Sequence, residues 1–287
     1  EWSYPVAALD GGGFHADFFH WFSGYNDLLQ KESWRIMNGH SEGHSFFDRE
    51  GKGDITQFLA SYLEQYRQTV GKGYINLPLG NHDLSRLNIE RSDDDLEIIF
   101  AFSLTMPGIP FIYYGNEIGM RQLYDLPNVE GAYPPRAGAR TPMQWSQGKN
   151  LGFSTANPEK LYLPVDPAAD APNVADQQDD PNSLLNRVKN LIQLRKNSKA
   201  LRAYAEFVPV YAKKGEYPFI YARACEDETV LVILNPANKA ATARFRLKPV
   251  FSQFELLAGT ESELKLEDKY YQLTIPGGSY SIYQLGN

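Results

Sequence analysis

Tyr74-Ile75-Asn76-Leu77-Pro78-Leu79-Gly80-Asn81-His82-Asp83-Leu84-Ser85-Arg86 is the stretch on which the fold turns. Its first six residues form a short apolar run, set off by Gly71 and Gly73, and read as a buried strand. The polar cluster follows at once, so His82 and Asp83 fall at the carboxyl end of that strand. Upstream, Ile55, Phe58, Leu59, Tyr62, Leu63 and Tyr66 recur at helical spacing behind Asp54 as N-cap. Downstream, Asp93-Asp94-Asp95 supplies an acidic first turn, favourable at the positive end of a helix, and Leu96, Ile99, Phe102 and Leu104 continue it to Met106. Pro107-Gly108 stops that helix, and residues 109–114 are the next expected strand. Strands alternating with helices are the mark of an α/β fold with a parallel sheet.

Further along, residues 115–180 are rich in Pro, Gly and Asn with little periodicity. A connection of that length inside a compact domain is expected to be a functional loop. Asp180-Pro181 then reads as the cap of another helix, with Leu184, Leu185, Val188, Leu191, Ile192 and Arg195 on one face and cations at its end. From about Ala203 the texture changes. Apolar runs at 217–224, 229–234, 242–246, 251–257, 270–275 and 279–284 are separated by Asn235-Pro236-Ala237-Asn238 and Pro276-Gly277-Gly278. Short strands at such spacing predict an antiparallel β-sandwich. The expected division is residues 1–202 and residues 203–287.

Composition sets the outer bounds. At ~100–200 residues per domain, 287 residues give one large domain or a medium one plus a small one. With 28 Lys+Arg against 35 Asp+Glu the net charge is −7, which argues against a general nucleic-acid or anionic-membrane binder, since both need a cationic face. One cysteine, Cys225, excludes an internal disulfide framework and a Cys-rich zinc site but leaves the compartment open. The longest apolar patch, 100–114, is broken by prolines and falls short of the ~18 residues that span a bilayer. The chain opens on Glu1-Trp2-Ser3-Tyr4-Pro5, which reads as the interior of a longer protein, so a fragment is expected. Aromatic residues make up 13%, enough either for a sugar-lining surface or for a Tyr-rich β core.

The residues that could carry chemistry are few. His82 and Asp83 stand where α/β barrels place their catalytic groups, with Arg86 in reach. An imidazole, a carboxylate and a guanidinium can grip a polyhydroxyl ligand and stabilise developing positive charge. Asn81-His82-Asp83 can also simply cap the next helix, and on spacing alone that reading stands slightly ahead. Asp17, in an aromatic run read as a strand, is expected to be a buried, hydrogen-bonded carboxylate, and Glu117 to anchor a loop. By itself Glu1 reads as an exposed terminal carboxylate. The spacings of His15 with His20 and of His40 with His44 lack a further ligand set, so zinc is rejected. Residues 48–54 lack the alternating oxygen ligands of a calcium loop and read as a turn. No Gly-rich phosphate loop or Gly-x-Ser-x-Gly elbow occurs.

Taken together, several segments resemble the α-amylase superfamily of glycoside hydrolases. Gly80-Asn81-His82-Asp83 with Arg86 is similar to the family's fourth conserved region, after strand 7 of its (β/α)8 barrel. Met106-Pro107-Gly108-Ile109-Pro110, leading to Tyr113-Tyr114-Gly115-Asn116-Glu117-Ile118-Gly119-Met120, resembles its passage from helix 7 to strand 8. Ala139-Arg140-Thr141-Pro142-Met143-Gln144-Trp145 resembles a signature of the oligo-1,6-glucosidase, α-glucosidase and trehalose-synthase branch. The helix through Ser183-Leu184-Leu185 and Leu194-Arg195-Lys196 looks like helix 8, and the C-terminal strands look like the family's β-sandwich. The resemblance implies the second half of a TIM barrel, from the end of strand 5 to helix 8, followed by that sandwich.

It also implies roles. Asp83 would bind sugar hydroxyls and stabilise an oxocarbenium-like transition state. His82 would hydrogen-bond the same ring, and Arg86 would orient the carboxylate or line the pocket. Glu1-Trp2 resembles the third conserved region, which makes Glu1 the general acid/base. Retaining hydrolysis needs a nucleophilic carboxylate ~5–5.5 Å from a protonated one, whose pKa burial beside an indole such as Trp2 would raise. The regions that hold the family's nucleophile are absent. The expected partner is therefore the N-terminal half of the same barrel, where any calcium would also bind, and the chain alone is expected to be inactive. The implied substrate is an α-linked oligosaccharide, with Trp21, Tyr25, Trp34 and Trp145 either walling the pocket or packing the outer face. The alternatives are a non-catalytic, transporter-associated relative, which has no chemical reason to keep Glu1 and Asn81-His82-Asp83, and a starch-binding role for the sandwich.

Overall fold

The computed structural model describes residues 4–19, 25–31, 44–133 and 136–287. Its first part is built from helix α1 (Tyr4–Asp10), strand β1 (Ala16–Phe18), a single turn α2 (Asn26–Leu29), α3 (Ile55–Thr69), β2 (Tyr74–Asn76) and α4 (Asp93–Thr105). β1 and β2 run parallel, with Ala16 opposite Tyr74 and Phe18 opposite Asn76. On the far side of β2 the segment at 109–114 continues the parallel arrangement, but only through a bridge of Pro78 to Phe111, with Leu79 N–H donating to the Phe111 carbonyl at 2.9 Å. The strand expected there is thus reduced to one ladder rung, because Pro110 has no N–H to donate.

The helices begin where local chemistry starts them. Asp54 caps α3, its carboxylate accepting from Thr56 N–H at 2.9 Å, and Ile55, Phe58, Leu59 and Tyr62 form the buried face. α4 starts with a reciprocal capping box between Ser92 and Asp95. Beyond that turn it is buried almost all round, as expected of a helix held between two layers. After the short α5 (Val174–Gln178) comes α6 (Leu184–Asn197), capped by Ser183 and not by Asp180-Pro181. Asp180 instead forms the preceding turn, its carboxylate accepting from Asn182 N–H and its carbonyl from Ser183 N–H.

The last part holds eight strands in two antiparallel sheets. One has the order β3 (Glu206–Tyr211), β4 (Phe219–Cys225), β5 (Glu228–Asn235), β10 (Ser279–Gly286), β7 (Gln253–Gly259). The other has the order β6 (Ala241–Phe245), β9 (Tyr270–Ile275), β8 (Glu263–Glu267). Ile220, Leu231, Ile233 and Tyr283 of the first sheet share a core with Phe245, Tyr271, Leu273 and Ile275 of the second. The opposite face of the five-stranded sheet joins the helical core: Phe207, Phe219, Tyr221, Val232 and Ile282 cluster with residues of α3, α4 and α6. Buried Arg223 of β4 ties this junction, its guanidinium donating to the carbonyls of Thr105, Arg202, Ala205 and Glu206.

Candidate active site

The end of the β2 run sets the site. Leu79 is held by the Phe111 carbonyl, and the chain then breaks into a tight polar turn in which Asn81 Oδ1 accepts from Asp83 N–H at 2.7 Å. This Asx-type turn uses the Asn side chain as a surrogate backbone acceptor, and it lifts His82 and Asp83 off the strand end into solvent. The Asp83 side chain is 40% exposed. Three cationic or cation-capable groups converge on its Oδ1: Arg140 Nη2 at 2.9 Å, Arg136 Nη1 at 3.2 Å and His82 Nε2 at 3.5 Å. Oδ2 takes part in none of these contacts. Arg140 also donates from Nε to the His82 carbonyl at 2.7 Å and from Nη1 to the Gly131 carbonyl. One guanidinium therefore fixes both the backbone and the carboxylate of the turn.

The segment that supplies Arg140 is itself strapped down. Tyr113 Oη donates to the Ala139 carbonyl at 3.1 Å and Tyr114 Oη to the Thr141 carbonyl at 2.7 Å. Partial burial pushes the Tyr113 phenol up to about 12, so it is a neutral donor throughout the physiological range. These two tyrosines lead into Gly115, whose φ of +84° suits glycine. A Cβ there would drive into Met120 and the Arg86 guanidinium.

Arg86 occupies a different place from the one its spacing suggests. Its guanidinium is buried, donates to the Tyr114 carbonyl at 2.8 Å and lies over the Tyr114 and Tyr113 rings at 4.9 and 5.6 Å. Among the described residues its Nε and Nη2 find no acceptor, and it does not bond Asp83. Desolvation lowers its affinity for its proton. Glu117 is in the short 3-10 turn Asn116–Ile118, where burial raises its carboxyl above the usual range.

Other expected residues separate. Glu1, Trp2, Trp21 and Trp34 lie outside the described residues. Tyr25 is fully buried, its hydroxyl donating to the Pro78 carbonyl at 3.0 Å, so it packs the core instead of walling a pocket. Trp145 is exposed. Asp17 is half-buried in β1 and accepts from Phe18 N–H at 2.8 Å. Arg136 and Arg140 were not anticipated as partners of Asp83; the only signal was Arg140's place in the Ala139–Trp145 motif. Among the described residues no group of three or more His, Cys, Asp or Glu side chains gathers to hold a metal. A half-exposed carboxylate gripped at Oδ1, beside an exposed imidazole, can accept hydroxyl hydrogen bonds and stabilise positive charge on a bound ring.

A parallel α/β unit with an acidic turn beyond its strand ends, backed by a β-sandwich, is the class of protein these features define. Residues 42–204 match the family model for the alpha amylase catalytic domain. The chain therefore belongs to the alpha-amylase family. It is 29% identical over 247 residues to an oligo-1,6-glucosidase of Parageobacillus thermoglucosidasius, covering 72% of this chain and 43% of that protein. It is 31% identical over 206 residues to a trehalose synthase/amylase of Mycobacterium tuberculosis, covering 69% and 33%. The fold of an alpha-amylase from H. orenii superposes on 99% of this chain and 52% of that one, with a TM-score of 0.70 at 19% identity. The chain thus spans less than half the length of both curated relatives.

Proposed function

We propose that this chain is the C-terminal part of a retaining glycoside hydrolase that cleaves α-glucosidic bonds of oligosaccharides. Residues 1–202 correspond to the barrel from the end of strand 5 to helix 8, and residues 203–287 to the C-terminal β-sandwich. The observation that carries this reading is the half-exposed Asp83 carboxylate, held through Oδ1 beyond the end of a parallel strand by Arg140 and Arg136. In it, Asp83 accepts hydroxyls of the reacting sugar and opposes the positive charge that builds at the anomeric carbon. His82, exposed beside it, donates to the same ring, and Arg86 braces the Tyr113–Tyr114 wall behind them. Glu1 supplies the general acid/base, and the nucleophile comes from the other half of the barrel.

Two exposed rings support the half-barrel reading. Phe18 of β1 and Phe111 meet edge-on at 4.7 Å although β2 runs between their segments, yet they are 45% and 42% exposed. Interior layers of (β/α)8 barrels are filled by side chains from alternate strands. A second set of strands closing over this face would bury both. The test is kinetic: Asp83→Asn in the longer protein loses turnover of an aryl α-glucoside while retaining sugar binding. Unchanged turnover removes Asp83 from the site.

A further inference from the structure

Residues 88–93, which run into α4, face residues 119–124 and 170–177 across a cleft of about 750 Å³. That volume lies within the roughly 300–1,000 Å³ typical of small-molecule sites. Of the described residues that line it, none belongs to the Asp83–Arg136–Arg140 cluster. The two sides are tied together by the backbone. Gln122 N–H donates to the Asn88 carbonyl at 3.2 Å, Asn88 Nδ2 to the Gly119 carbonyl at 2.6 Å, and Gln177 Nε2 to the Ile118 carbonyl at 2.9 Å. The cleft is thus preformed, and little ordering entropy opposes a ligand that enters it.

The charged groups of the wall already have partners. Arg121 meets Asp166 at 3.1 Å and Asp170 at 3.0 Å, and Glu90 meets Lys31 at 2.9 Å. Asp93 lies 3.9 Å from Arg187, and buried Arg91 donates to the Leu87 carbonyl and the Ser45 hydroxyl. Asp176 Oδ2 accepts from Gln147 Nε2 at 2.6 Å and from Asn173 Nδ2 at 2.7 Å. An ion of either sign therefore finds its counter-charges engaged, and among the described residues no set of three or more His, Cys, Asp or Glu side chains gathers to hold a metal. A neutral polar ligand fits this wall better. Asp170 is 83% exposed at the side chain, Asp176 and Gln147 are exposed, and Tyr124 is 53% exposed. Fixed carboxylates, an amide and an accessible ring match a pyranose, whose hydroxyls both donate and accept and whose C–H face packs on an aromatic surface.

We propose that this cleft is a second saccharide-binding site, separate from the Asp83 turn, that takes a neutral oligosaccharide of pyranose units. One sugar lays its C–H face on Tyr124, and its hydroxyls bond Asp170, Asp176 and Gln147. The choice of α-glucans as ligands rests on the glycosidase reading, whereas the site itself rests on the cleft and its walls.

The experiment is calorimetric titration of the chain with maltotriose, with isomaltotriose and with sorbitol, a polyol that carries hydroxyls but no ring face. At least one trisaccharide is expected to saturate a site, and sorbitol is not. Tyr124→Ala should weaken that trisaccharide about tenfold, while Tyr124→Phe, which keeps the ring, should weaken it by less than about threefold. Both variants change an exposed side chain, and an unaltered melting temperature checks that they fold. Asp83→Ala should leave the affinity within about twofold, because its side chain is no part of the cleft. Absence of saturable binding by either trisaccharide, comparable binding of sorbitol, or an unchanged affinity in Tyr124→Ala would each overturn the proposal. Binding lost in Asp83→Ala and kept in Tyr124→Ala would also overturn it, and would place the sugar at the Asp83 turn in keeping with the glycosidase reading.

Discussion

Arg223→Met tests how the two parts of the chain are joined. The guanidinium is fully buried and satisfies four carbonyls, those of Thr105, Arg202, Ala205 and Glu206. Methionine fills a similar volume but donates nothing, so all four acceptors lose their partner. Leaving a buried acceptor unpaired costs about 1–3 kcal/mol. The low end of that range applies, because the variant also escapes the cost of burying a cation, and four carbonyls at about 1 kcal/mol each give about 4 kcal/mol. At roughly 2–4 °C per kcal/mol for a chain of this size, the melting temperature should fall by about 8–16 °C. Arg223→Lys should fall in between, since an ammonium offers three donors against the four carbonyls. Differential scanning calorimetry reads the shift. Limited proteolysis should show faster cleavage near residues 202–206, where three of the carbonyls lie. A melting temperature within about 2 °C of the parent would refute the reasoning, and the junction would then rest on apolar packing alone.

Arg140→Ala removes the group that holds both the His82 carbonyl and the Asp83 carboxylate, and on the proposed glycosidase reading should lower kcat/KM about tenfold to hundredfold, with Arg140→Lys recovering part of it. Ser92→Ala deletes half of the α4 capping box and should cost about 1 kcal/mol in a urea unfolding curve. Glu117→Gln should stabilise at neutral pH. Burial raises the folded-state pKa of Glu117, so its contribution favours folding only while the carboxyl is protonated and is lost as pH rises through that pKa. The gain from the Gln variant should therefore be visible at pH 7 and fade below about pH 4, where the unfolded carboxyl is also protonated. Equal melting-temperature differences at the two pH values would contradict this.

Much of this architecture was legible because local chemistry and tertiary packing agree. The α3 periodicity behind Asp54 buries Ile55, Phe58, Leu59 and Tyr62, and the apolar run of β5 is buried on both faces. Where the two disagree, the reading failed. β3 carries Pro209 and β8 is Glu-Leu-Lys-Leu-Glu, so neither looks like a strand; both lie at sheet edges, where a missing donor or an exposed charge is tolerated. Asp180-Pro181 has cap chemistry and points to an earlier start for α6, whereas Ser183 stands directly before the apolar face and caps the helix. At the site, the Asn81–Asp83 turn declared itself through residue type. Its cationic partners did not: Arg136 and Arg140 lie more than fifty residues further on in an aperiodic segment, and only the fold brings them back. Arg86 is close to Asp83 in sequence, but it turns inward onto Tyr113 and Tyr114.

The most direct test is single-turnover kinetics on the longer protein with Asp83→Asn, read alongside equilibrium binding of a non-hydrolysable α-glucoside. A carboxylate whose work is confined to the charged transition state predicts a fall in the chemical rate of at least a thousandfold, roughly 4 kcal/mol, with affinity changed by less than about tenfold. A chemical rate within threefold of the parent would contradict the account, whatever happened to binding.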